Sequence, residues 1–190
     1  ADATGRAYTL VEKILEPGEA LPAWWRTDGT TGYDALAELD RLFVDAEGVA
    51  ALDRLDARLR AETGLPDALP WHDLIHDTKR MIADTLLAAE VRRLVRTLPH
   101  GIVHADDALA ELLACFPVYR SYLPEGREHL RAAFAEARRR RPDLSAAFAA
   151  LEPLLVEPTL EVAQRFPQVS GAVMAKGVED TAFYRFTRLG

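Results

Sequence analysis

The chain is poor in cysteine: Cys115 is the single one among 190 residues. An internal disulfide is therefore excluded, and the usage suits a reducing compartment, so a cytoplasmic location is expected. No apolar run approaches the length of about 20 residues needed to cross a bilayer. The opening residues, ADATGRAY, have neither the basic start nor the apolar stretch of a secretory signal, and no initiating Met. They read as a cut edge. Positive charge is in deficit, with 23 Lys and Arg against 30 Asp and Glu for a net charge of -7, which argues against general nucleic-acid binding. Repeats and low-complexity tracts are missing too.

What is present favours helix, because Ala, Leu and Arg are used heavily. The pattern predicts helices over Thr31 to Phe43 and over Val49 to Thr63, the second with Leu52, Leu55 and Leu59 inward and Gly64 as its stop. A long helix is expected from about Pro70 to Leu98. Another starts at Asp106 or Asp107, carries Leu109, Leu112, Leu113 and Phe116, and ends at Pro117. Helices over Glu125 to Arg141 and Asp143 to about Glu152 follow, with Leu130 and Phe134 as core. Thr159 is a good N-cap for one more, which Pro167 should end or kink. Val178 to Leu189 can close the chain as a helix.

One segment breaks this pattern. Arg6 to Leu15, rich in Tyr, Thr, Val and Ile, reads as the single convincing strand and is followed by the breakers Pro17, Gly18 and Pro22. A lone strand leaves backbone donors and acceptors unpaired on both edges. It therefore belongs either to a sheet whose other members lie elsewhere or to a pairing with a second copy, and missing neighbours are the favoured reading. The fold class expected is mainly α: a multi-helix domain with one N-terminal strand.

Four groups of residues could carry chemistry. Glu12, late in the strand, is either a carboxylate aimed for acid-base work or a solvated strand-end charge paired with Lys13 or with nothing. His72 and His76, four apart on one helix face, have metal-ligand spacing, but no third ligand is evident and no metal is expected. The run Arg138 to Arg141 reads as a solvated helix end that complements the dipole. MAKGVEDTAFYRF gathers Lys176, Glu179, Asp180, Tyr184 and Arg185 around Gly177. Rings that cover apolar sugar faces and charges that bond hydroxyls are what a saccharide site uses, although an acid-rich helix start with Phe183 buried would look the same.

Taken in order, VEKILEPGE (Val11 to Glu19), GTTGYD (Gly29 to Asp34), LFVD (Leu42 to Asp45), TLLAAEVRRL (Thr85 to Leu94), FPVYRSY (Phe116 to Tyr122) and VMAKGVEDTAFYRF (Val173 to Phe186) resemble the maltooligosyl trehalose synthase family of the α-amylase superfamily. The resemblance spans essentially the whole chain. It implies that the strand derives from the fifth stave of a (β/α)8 barrel, with residues 1–20 as strand and loop, 21–172 as a helical insertion, and 173–190 as a segment returning toward the cleft. It implies an isomerase that converts the reducing-end α-1,4 bond of a maltooligosaccharide to an α,α-1,1 bond, with no cofactor.

By the same resemblance Glu12 matches the general acid/base. Lys176, Glu179, Asp180, Tyr184 and Arg185 become candidates for holding the reducing-end sugar, and Tyr33 and Asp34, with Trp25, candidates for lining the pocket. The expected partners are the glucan and the rest of the barrel, replaced by self-association if the segment stands alone. The nucleophile and third acid match nothing in this chain. HDTKR, His76 to Arg80, resembles the later acidic motif but falls out of order, inside the long helix. A free-standing acidic helical interaction module is the alternative, and a metal-dependent hydrolase on His72 and His76 is the weakest.

Overall fold

The computed structural model describes residues 7–186 and divides the chain into two compact units, one ending at Leu69 and the other running from Pro70 to Phe186. In the first unit β1 (Leu10–Val11) pairs in parallel with β2 (Gly29–Thr30), Leu10 opposite Gly29 and Val11 opposite Thr30. The strand is thus shorter than its β-prone sequence suggests, and Arg6 lies outside the described residues. It also has a partner that composition hides, because two residues, one of them Gly, are too short a run to carry a β signature. Backbone bonds flank the pair and one side chain adds to them: the Thr9 carbonyl accepts from the Asp28 amide at 2.8 Å and from Thr27 Oγ1 at 2.8 Å, while the Thr31 amide donates to Val11 O at 3.1 Å.

Gly32, at φ 95, turns the chain into α1 (Tyr33–Arg41), and α2 (Val49–Thr63) ends on Gly64 in the left-handed conformation, as its sequence predicts. Neither helix buries a residue within the described chain. Leu36, Leu39, Leu52, Leu55 and Leu59 are all exposed, and Phe43 is 87% exposed. The expectation that the α2 leucines point into a core of this chain is overturned. An apolar stripe says only that a helix face is made to be covered, not by what.

The second unit is a helical bundle: α3 (Trp71–Asp84), α4 (Ala88–Val95), α5 (Ala105–Cys115), α6 (Arg127–Arg140), α7 (Ser145–Leu155) and α8 (Glu161–Met174). The single long helix expected over residues 70–98 is broken at Thr85, whose φ of -118 and ψ of -86 are not helical. Its hydroxyl donates back to Met81 O at 2.6 Å, a local bond that competes with helix continuation. The Phe116 backbone is extended, as a residue before proline must be, so α5 stops where Pro117 predicts.

This unit's core is built on α5, which buries Ala105 and every residue from Ala108 to Ala114. Phe134 packs edge-on against Phe148 with ring centres 6.4 Å apart, and Phe116 against Phe166 at 5.4 Å. Leu130 and Phe134 are buried, as expected.

Helix α8 departs from expectation most. Leu160, not Thr159, precedes its first residue, and Pro167 sits inside it without ending it. Beyond Met174 the helix opens into a π-helical segment, Ala175–Ala182, and finishes in a turn at Phe183–Arg185. The helix expected over Val178 to Leu189 is thus the tail of a longer element, and its last residues lie outside those described. Gly177 explains how this segment seats. A Cβ there would lie 2.7 Å from Lys79 Cγ and 2.8 Å from Lys79 Cα, so the π segment and α3 meet backbone to backbone.

Candidate functional site

Parallel pairing puts the outgoing ends of β1 and β2 on one edge. Glu12 leaves β1 there, and Thr31 through Asp34 leave β2 there. Glu12 is exposed and has no hydrogen-bond or ionic partner among the described residues. Lys13, its neighbour, turns inward and donates to Glu19 Oε1 at 2.5 Å, with both side chains almost fully buried. Lys13 therefore belongs to Glu19, whose other oxygen takes the Glu16 amide and closes the Pro17-Gly18 turn. This leaves the Glu12 carboxyl open to an incoming group. Asp34 accepts from Thr30 Oγ1 at 3.1 Å, and Tyr33, at the start of α1, is exposed. Trp25 is half-buried and packs edge-on with Trp24, ring centres 6.0 Å apart.

The second group lies in the other unit. On the π segment Lys176 donates to Asp180 Oδ2 at 2.5 Å, and this bond raises the Lys176 pKa above its ordinary value. Glu179 is half-buried and accepts from the Tyr119 hydroxyl. Tyr184 is 86% exposed, Arg185 is exposed, and Phe183 is 57% exposed rather than buried. Trp71 backs Phe183 in a near-parallel stack, 5.6 Å between centres, and touches Phe186 at 4.8 Å. The outcome is an exposed aromatic shelf on the segment that also carries the Lys176–Asp180 pair.

The histidines lead elsewhere. His72 is exposed beside Asp73, whereas His76 Nε2 meets Glu111 Oε1 at 2.9 Å across to α5. Cys115 Sγ donates to the same oxygen at 3.5 Å, and Arg80 holds the other at 3.0 Å. His76, Glu111 and Cys115 bring ligand-type atoms within 4.8 Å of one another. Both carboxylate oxygens are already used, Oε1 by His76 and Cys115 and Oε2 by Arg80, so the group reads as an ion-pair network. Hydrogen bonding to Glu111 raises the His76 pKa above its ordinary 6.5. Burial alone would raise Glu111, but the bonds from His76 and Arg80 bring it below its ordinary 4.5. Burial, with Glu111 adding to it, pushes the Cys115 thiol up to about 12, which leaves it unreactive near neutrality.

The arginine run extends this network. Arg141 bonds Asp107 at 2.8 Å and Asp143 at 2.7 Å, Arg140 bonds Asp73 and Glu136, and Arg138 bonds Glu152 at 2.5 Å. These three tie the end of α6 to α7, α3 and α5, whereas Arg139, exposed and paired with Glu136 of its own helix, alone fits the expected solvated helix end. HDTKR belongs to the same structural set: Thr78 and Lys79 are buried, and Arg80 pairs with Asp84, Asp107 and Glu111.

No family model matches the chain. A protein named as a maltooligosyl trehalose synthase in Mycobacterium tuberculosis is 35% identical over 189 residues, 96% of this chain and 24% of that protein. The solved maltooligosyltrehalose synthase of Arthrobacter ramosus superposes with a TM-score of 0.88 at 45% identity, over 96% of this chain and 23% of its own. The resemblance is to maltooligosyl trehalose synthases. A structure described as a hypothetical maltooligosyl trehalose synthase of Sulfolobus tokodaii gives a TM-score of 0.69 at 28% identity, covering 99% of this chain and 23% of its own. The chain spans about a quarter of the length of the curated relatives it matches. Among the described residues no helix is long and apolar enough to cross a membrane.

Within this synthase-like segment, sequence reasoning missed two residues beside the named ones. Tyr119, inside FPVYRSY, grips Glu179, and Trp71 supports Phe183 from the first turn of α3. The only signal for the first was that FPVYRSY is one of the segments that carry the family resemblance. Nothing in the local pattern marked Trp71 as more than a core residue.

Proposed function

We propose that this chain is the part of a maltooligosyl trehalose synthase, in the α-amylase superfamily, that carries the general acid/base. In this reading residues 1–20 supply the barrel strand and Glu12, residues 21–172 the helical insertion, and residues 173–190 the segment that holds sugar. The reaction is an intramolecular glucosyl transfer, an isomerisation of the reducing-end α-1,4 bond to an α,α-1,1 bond. Glu12 protonates the leaving oxygen while a carboxylate from elsewhere in the barrel attacks the anomeric carbon. Ionised, Glu12 then takes the proton from the anomeric hydroxyl of the released glucose, which must be kept in place and kept from water. Lys176, Glu179, Asp180, Tyr184 and Arg185 are assigned to holding that sugar, with Tyr33 and Asp34 beside Glu12. The location is cytoplasmic, and the partner of the exposed α1 and α2 faces is the remaining barrel.

The observation that carries the reading is the placement of Glu12: exposed at the outgoing end of a parallel strand, with its lysine neighbour already committed to Glu19. Active sites of parallel barrels gather at that end. The test is Glu12→Gln in the complete polypeptide, which keeps shape and removes the titrating proton. Trehalose-ended product from maltopentaose should fall by more than ~100-fold, and the 190-residue chain alone should make none. A Gln variant at the wild-type rate, or product from the chain alone, would overturn the assignment.

A further inference from the structure

We infer that Tyr119 is a positioning residue, whose hydroxyl fixes one oxygen of Glu179 so that the other is offered to a hydroxyl of the bound sugar. This rests on the functional reading above, and it adds a residue that the reading did not contain. Glu179 lies on the π segment at the seam between the exposed Lys176 and Asp180 and the buried Gly177 and Val178. Its Oε1 accepts from Tyr119, and its Oε2 accepts no hydrogen bond from a described residue. A free glutamate side chain must give up considerable rotamer freedom to serve as a fixed acceptor. One held at a single oxygen has already given most of it up, so the sugar binds a prepared group.

The device works only if Tyr119 itself is fixed, and several contacts do that. Ser170 Oγ, buried on α8, donates to Tyr119 O at 2.8 Å. A Cβ on Gly171 would lie 3.5 Å from the same carbonyl, so helix and loop are already in contact. Three residues earlier, Phe116 is fully buried against Phe166, and Lys79 Nζ donates to Phe116 O at 2.6 Å. Lys79 is also the residue against which Gly177 seats. Loop and π segment are therefore registered on one point of α3, and the Tyr119 to Glu179 bond joins them at the exposed edge. A bond that merely stapled the loop would serve equally well deep in the seam. This one ends on a half-buried carboxylate with an oxygen to spare.

The test is Tyr119→Phe in the complete polypeptide, which keeps the ring and removes the hydroxyl. The expected result is a ~10-fold rise in KM for maltopentaose, the size of one lost charge-assisted bond. Free glucose released per trehalose-ended product should rise several-fold, because a loosely held sugar yields to water. Glu179→Ala should produce the same pair of changes, and Tyr119→Phe added to it should change nothing further. Glu179→Gln keeps an oxygen for Tyr119 and swaps the offered one for an amide, so it should match Glu179→Ala and serves if Tyr119→Phe does not fold. Unchanged KM and product ratio in either single variant, or additive losses in the double, would overturn the inference. A wild-type polypeptide that makes no trehalose-ended product would instead overturn the functional reading, and this inference with it.

Discussion

Gly177→Ala sets two well-measured effects against each other in one residue. In an exposed helix the exchange should stabilise by about 0.5 to 1 kcal/mol, because Ala restricts the unfolded chain and Gly does not. At this position the added methyl would lie 2.7 Å from Lys79 Cγ, 2.8 Å from Lys79 Cα and 3.0 Å from Lys79 N. Two of those three atoms are backbone of α3, so no rotamer change can clear them, and Lys79 is held by its bond to Phe116 O. Overpacking of a filled interior costs about 1 to 3 kcal/mol and more when backbone must shift. The clash should win, with a net loss of about 2 kcal/mol. For a domain of this size that is a fall of about 1 M in the urea midpoint, taking a slope near 1 to 3 kcal/mol per molar. Far-UV circular dichroism follows the transition, since the bundle holds most of the helix. An Ala variant with an equal or higher midpoint would show that the seam is loose and that the reasoning is wrong.

Two further outcomes follow from the bundle. The His76 pKa is raised, so its contribution to stability is complete below about 6.5 and is lost as pH climbs through the higher folded value; Glu111 is lowered, so its share is present above about 4.5 and is lost as pH falls through the folded value. Urea midpoints should therefore be highest between those two pH values, and His76→Gln should remove the alkaline decline, a matter of about 1 kcal/mol or less; an unchanged decline would move the cause elsewhere. Phe134→Ala, at a fully packed ring against Phe148, should lower stability by about 3 to 5 kcal/mol in the same assay.

Local chemistry made part of this fold readable. Gly64 ends α2 because it takes the left-handed conformation at no cost, Pro117 ends α5 because it forces Phe116 to be extended, and the α5 leucines are core because the apolar pattern wraps most of that helix. The break at Thr85 was hidden by an apolar rhythm that continues across it. Asp73 and Asp107, the carboxylates to which Arg140 and Arg141 reach on other helices, lie 67 and 34 positions away, and no local pattern carries such distances. In the site, Glu12 could be picked out as a strand-end acid. That Lys13 would turn to Glu19, and Tyr119 to Glu179, depends on the turn and the bundle, which only the assembled chain reveals.

The π segment has one more consequence. A helix wound more loosely lags behind its regular continuation, so each residue in the widened stretch turns everything downstream away from the α-helical heading. The direction faced by Phe183, Tyr184 and Arg185 is thereby fixed by how many residues the stretch contains, more than by which ones they are. Shortening it by a single position would change the heading at which Phe183 meets Trp71 while leaving both rings in the chain.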